Sequence, residues 1–136
     1  MNENEVPSFA VGTQGPRQGY NRDRWIETPV NMGSGYLTNT ASTLYTAPSG
    51  SIAGASSQKA VLLDIWLCNT DTVTRTVTLY INGSSDDKCI YKDFSMATKT
   101  SVRQECYIVL ESGQTIQGLA DVTSKVSVRL SGKALT

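Results

Sequence analysis

With 136 residues, 12 basic and 12 acidic side chains and no histidine, the chain has the length of one domain. It has no net field to steer it towards nucleic acid, anionic lipid or a charged substrate. The missing imidazole removes the commonest general base and zinc ligand, and with them every Ser-His or Cys-His nucleophile.

The first forty residues read as an extended arm. All four prolines, Pro7, Pro16, Pro29 and Pro48, lie in the first 48 residues, beside Gly12, Gly15, Gly19, Gly33 and Gly35. A segment so poor in apolar side chains buries too little surface to offset its own ordering entropy, so residues 1–40 are expected to supply no core residues and to act as an anchor. Within it, PRQGYNRDRWIETP (16 to 29) interleaves Arg17, Arg22 and Arg24 with Tyr20 and Trp25, the composition of binding hot spots. A solvated linker is the plainer reading of the same residues. Stacking on single-stranded nucleic acid is disfavoured because residues 1 to 27 carry three positive against four negative charges. Protein contact is the expectation. The opening also lacks the basic start and apolar centre of a secretory signal, and no apolar run approaches the roughly 20 residues of a membrane span. Synthesis and retention in the cytosol follow.

From residue 41 to 136 the pattern changes to period-two alternation, the mark of strands with one face buried. Seven strands are predicted in chain order: TLYT (43 to 46), KAVLLDIWLC (59 to 68), a strand within NTDTVTRTVTLYING (69 to 83), KCIYKDF (88 to 94), SVRQECYIVL (101 to 110), QTIQG (114 to 118) and KVSVRLSG (125 to 132). In the second of these Val61, Leu63, Ile65 and Leu67 share the inner face. In the third, Val73, Val77, Leu79 and Ile81 face inward and Thr72, Thr74, Thr76 and Thr78 face solvent. Val102, Cys106, Ile108 and Leu110 form the inner side of the fifth, and Val126, Val128 and Leu130 that of the last, opposite Lys125, Ser127 and Arg129. Turn-rich stretches such as PSGSIAGASSQ, NGSSDD and ESGQ separate the strands, and no helix of useful length intervenes. Short antiparallel strands without crossover helices imply an all-β, antiparallel β-sandwich, of jelly-roll or immunoglobulin-like topology.

Little in this framework points to catalysis. Asp86, Asp87, Asp93, Glu105 and Glu111 could in principle pair as glycosidase carboxylates, but they occupy turn and outward positions where solvated acids are normal. Asp71, Asp86 and Asp87 lack the dense alternation of oxygen ligands in a calcium loop. GSIAGASSQK lacks the GK[ST] ending of a phosphate loop. Cys68, Cys89 and Cys106 are spaced too far apart for a metal motif and are expected as buried free thiols. No cofactor or metal is expected. What stands out instead is aromatic: alternation turns Trp66 outward, with Tyr80 and Tyr107 on the polar faces of their strands. A large exposed aromatic is usually covered by something, here either a loop or arm of the chain itself or another subunit.

The pieces TLYTAP, I-x-L-C-N-T (Ile65, Leu67, Cys68, Asn69, Thr70), VTLYI-x-G (Val77 to Gly83), L-x-S-G-Q-T-I (Leu110, Ser112 to Ile116) and V-S-V-R-L-S-G together resemble a small β-sandwich module of tailed-bacteriophage structural proteins, over residues 43 to 135. The long SGSIAGASSQ loop and the Arg-aromatic arm depart from that module. The resemblance implies a non-enzymatic virion component, made in the cytoplasm of a bacterial host. It would be a homo-oligomer, dimer or trimer, bound to a major capsid protein or other virion proteins without nucleic acid or membrane. A capsid decoration or cement protein stapled down by its arm suits the chain best. A tail, collar or baseplate part is the neighbouring reading, and a receptor- or carbohydrate-binding module using Trp66, Tyr80 or Tyr107 is the one from another class.

Overall fold

The computed structural model describes residues 26–50 and 57–136. Eight strands form: β1 (Glu27–Tyr36), β2 (Ser42–Thr46), β3 (Lys59–Asn69), β4 (Arg75–Ile81), β5 (Cys89–Met96), β6 (Ser101–Leu110), β7 (Thr115–Ala120) and β8 (Val126–Leu135). They make two four-stranded antiparallel sheets, β1-β8-β3-β6 and β2-β7-β4-β5. The pairing is nested: β4 with β5, β3 with β6, β2 with β7 and β1 with β8. One long antiparallel hairpin has been rolled up so that successive rungs fall alternately in the two sheets. That is the eight-stranded jelly roll, and it resolves the choice between jelly-roll and immunoglobulin-like topology.

Between the sheets lies one core, with Leu62, Leu67, Leu130 and Val126 from one side and Val77, Leu79, Met96 and Ile116 from the other, all fully buried. Its existence follows from the alternation, since every second residue of a half-buried strand must leave water.

Five sequence expectations need correction. The strand domain begins at Glu27, not at residue 41. Residues 27–36 pair along β8 from Glu27 opposite Leu135 to Tyr36 opposite Ser127, and Met32 and Leu37 are fully buried. Pro29, Gly33 and Gly35 disguise the strand, but β1 is an edge, where a proline and a register shift between Asn31 and Gly33 cost few ladder bonds. The count of seven strands becomes eight for the same reason.

In β3 the inner residues are Ala60, Leu62, Ile65 and Leu67, so Val61 and Leu63 do not join the core cluster. The register against both neighbours shifts between Leu62 and Asp64: against β8 the extra residue is Leu63, against β6 it lies in β6, and the alternation of β3 reverses across this point.

Within the threonine-rich stretch, Val73 is exposed in the turn before β4, whereas Thr78 and Tyr80 are buried. Leu119 and Gln117 of β7 and Cys89 of β5 stand opposite Thr78 and Tyr80 on the same outer face. Thr78 Oγ1 accepts a hydrogen bond from the Asp93 N–H at 3.0 Å, which satisfies the buried hydroxyl. Finally, the three thiols are free but half-buried, not fully buried.

A polar residue closes one end of the sandwich. Asn69 is completely buried, and its Nδ2 donates to the carbonyls of Val73, Met96 and Ala97 at 2.9, 3.1 and 3.1 Å, while Oδ1 accepts from the Asp71 N–H at 2.9 Å. The side chain thus ties the end of β3 to the β3–β4 and β5–β6 turns. Asn69→Ala leaves several of those backbone groups short of partners, each worth about 1–3 kcal/mol when buried, so a loss of roughly 3 kcal/mol is expected. A urea titration should show the midpoint falling at unchanged slope.

Candidate functional site

The outer face of the β1-β8-β3-β6 sheet collects the exposed aromatic surface. One row across it runs Ser34, Arg129, Trp66, Arg103. Trp66 is 44% exposed, as the alternation predicted, because the extra residue at Leu63 falls before it and leaves the phase of Ile65–Leu67 intact. The Arg103 guanidinium lies over its ring, 5.1 Å from the centroid. Two residues further along each strand is the row Tyr36, Ser127, Cys68, Ser101, where Tyr36 is 56% exposed. On β6, Tyr107 and Val109 follow Arg103 on the same side at 74% and 41% exposure. No exposed large apolar residue lies in β2, β4, β5 or β7 among the described residues. The two sheets therefore differ: one outer face carries the apolar surface and the other does not.

Charges on this face are mostly paired internally. Arg103 bridges Asp64 at 2.9 Å and Glu105 at 3.0 Å, and the buried Asp64 Oδ1 is held by this ion pair without a well-formed hydrogen bond among the described residues. Lys133 meets Glu27 at 2.9 Å, a hydrogen bond that raises the lysine above its ordinary pKa. Arg129 makes no ion pair among the described residues. It borders both an open depression of about 430 Å³, shared with Pro29, Leu63, Asp64 and Lys133, and a smaller one of about 210 Å³ beside Trp66. On the inner side of β6, burial pushes the Cys106 thiol pKa up, and its Sγ donates to the Leu62 carbonyl at 3.5 Å. That thiol is held as a neutral packing group, not a nucleophile.

Such a surface can hold a partner by packing aromatics and by offering Arg129 to a carboxylate. Of the residues expected to bind a partner it contains Trp66, and of the aromatics named for a sugar platform also Tyr107. Tyr80 is not there: it sits in the other sheet and is only 5% exposed, enclosed by its position on central strand β4. Arg17, Tyr20, Arg22, Arg24 and Trp25 lie outside the described residues. Tyr36 escaped the sequence reading because it was assigned to the arm. Arg129 was legible as an outward residue of the last strand, but nothing in its neighbourhood in sequence marked it as making no ion pair among the described residues.

No protein-family model matches this sequence, and no curated protein does. Solved structures share the fold. A chain in the structure of infectious bursal disease virus, Gx strain, aligns with 93% of this chain at 11% identity and a TM-score of 0.56; this chain spans 37% of that one. In the T13 particle of the same virus the figures are 84% of this chain, 31% of that chain, 13% identity and a TM-score of 0.48. For the coat protein of tobacco streak virus they are 89%, 90%, 12% and 0.44. The first likeness is one of fold; the other two are too loose to carry an argument.

Proposed function

We propose that the protein is a non-enzymatic structural component of a virus particle, and specifically a decoration or cement protein on the capsid of a tailed phage. The observation that carries this reading is the asymmetry of the jelly roll: among the described residues one outer sheet face gathers Tyr36, Trp66 and Tyr107 with Arg129, which makes no ion pair among them, while the other face exposes no large apolar residue. A domain with one adhesive face suits a protein that sits on a larger surface. The fold it shares with a chain of infectious bursal disease virus supports the same reading. In it, the major capsid protein is the partner, and the Arg-aromatic segment with Arg17, Tyr20, Arg22, Arg24 and Trp25 staples neighbouring capsid subunits. The protein acts by non-covalent adhesion and needs no cofactor.

The test is mechanical. Particles lacking the protein should still assemble but lose DNA at lower temperature or in chelator. Trp25→Ala and Trp66→Ala should each weaken attachment about thirtyfold in a particle-sedimentation assay, the usual cost of truncating an interface anchor of about 2 kcal/mol, while Glu3→Ala should not. If bare particles are as heat-resistant as decorated ones yet fail to adsorb to cells, a tail or receptor-binding role replaces the cement role. Binding of the isolated protein on a glycan array would favour a sugar platform, although Arg103 already covers part of the Trp66 ring.

A further inference from the structure

Four strands are sheet edges, and three of them are short or carry proline, glycine or a positive φ. β1 carries Pro29, Gly33 and Gly35, β2 has five residues with a register shift, and β5 holds Asp93 at a φ of 48°. β6 is ten residues long without glycine, proline or a positive φ, its register against β3 shifts once, between Glu105 and Ile108, and no strand lies beyond it among the described residues. An open edge of that kind presents unpaired backbone N–H and C=O groups to any strand that can add to it. The core is also unfinished there. Val102, Cys106 and Ile108 pack against the core cluster but remain only half-buried, whereas Ile65, Leu67 and Leu130 in the same sheet are enclosed.

We infer that β6 pairs antiparallel with β6 of a second copy of this chain across a two-fold axis at Gln104, joining the two β1-β8-β3-β6 sheets into one of eight strands. Charge complementarity selects the second copy and the register. The outward side of β6 carries two charges, Arg103 and Glu105, and residues that face each other across a pleated sheet must lie on the same side. Centring on Gln104 sets Arg103 opposite the partner's Glu105 and Glu105 opposite the partner's Arg103. The pair now made within one chain at 3.0 Å becomes a four-membered ladder. On the inner side Val102 then meets the partner's Cys106 and covers the unfinished flank. Centring on Arg103 or Glu105 opposes like charges, and centring on Cys106 pairs Arg103 with the partner's Val109. The chosen centre also falls in the stretch that runs unshifted against Asp64–Cys68. The proposal is independent of where on a particle the protein sits.

Light scattering on the full chain should give twice the 14.7 kDa subunit mass at micromolar concentration. Glu105→Lys turns both ladder contacts repulsive and should weaken dimerisation about tenfold, whereas Asp86→Lys, the same charge change in the turn before β5, should not. Glu105→Gln, milder for the fold, should give an intermediate loss, and circular dichroism checks that each variant remains β-structured. Under mild oxidation Gln104→Cys should yield a disulfide joining residue 104 of both copies, read by mass spectrometry. A wild-type monomer overturns the proposal. So does a dimer indifferent to Glu105→Lys, or one that oxidises through Cys106 instead of position 104.

Discussion

Deleting residues 1–40 should unfold the domain, while deleting residues 1–25 should leave it folded. The shorter deletion stops before Ile26, whose N–H and C=O exchange hydrogen bonds with Thr136 at 2.7 and 3.0 Å, and it spares all of β1. The longer one removes the strand, two fully buried side chains, Met32 and Leu37, and the backbone partners of β8 from Ser127 to Leu135. Burying a side chain of that size contributes about 1.5–3 kcal/mol, and a lost edge adds unpaired backbone. Against a total of about 5–15 kcal/mol for a domain, the sum is enough to abolish the fold. Circular dichroism and a thermal melt on both truncations settle the matter. A cooperative β-type melt from the 1–40 deletion would show that β1 is dispensable.

Gly132→Ala should be nearly as damaging. A Cβ at this position would clash with the Val61 carbonyl oxygen and sit 2.8 Å from Met32 Cε. Met32 can turn aside, but Val61 belongs to β3, which is held on both sides by β6 and β8, so the oxygen cannot retreat without breaking the ladder. The close approach occurs where β3 shifts register against β8, between Leu62 opposite Gly132 and Asp64 opposite Ser131. Ordinary overpacking costs about 1–3 kcal/mol, and a clash with fixed backbone should exceed about 3 kcal/mol. Gly118→Ala makes the useful contrast. Its Cβ would meet Leu79 Cδ2 at 2.7 Å, the end of a side chain that can change rotamer, so a loss of about 1–2 kcal/mol is expected. Denaturant titrations of the two variants should rank them in that order.

Seven of the eight strands were legible because alternation is a direct imprint of a half-buried pleat. What stayed hidden has a common physical origin: information held by neighbours across the sheet and not by the strand itself. ETPVNMGSGY has the composition of a loop, and only pairing with β8 makes it a strand. The inward choice of Leu62 over Leu63 depends on a register shift against two other strands. Thr78 and Tyr80 look like a wet face until β5 and β7 close in beside them. Trp66, by contrast, could be placed from the sequence alone, because its exposure needs only the local phase of β3. The fold class was therefore readable, its topology was open between two, and of the exposed aromatic face Trp66 and Tyr107 were legible with their correct orientation while Tyr36 was not.

The nested pairing also has a consequence for how the chain is born. β8 is the last of the eight strands to leave the ribosome, yet it lies in the middle of its sheet, between β1 and β3. Contacts such as Lys133 with Glu27 join residues 106 apart in sequence. While the chain is still being extended, β4 and β5 can zip together and β3 can find β6, but β1 waits with its pairing edge open until the final strand slides in beside it. Such long-range closure is slow. For that interval the nascent protein is a sticky half-sandwich, and crowding many copies on one polysome invites one chain's β8 to complete another chain's sheet.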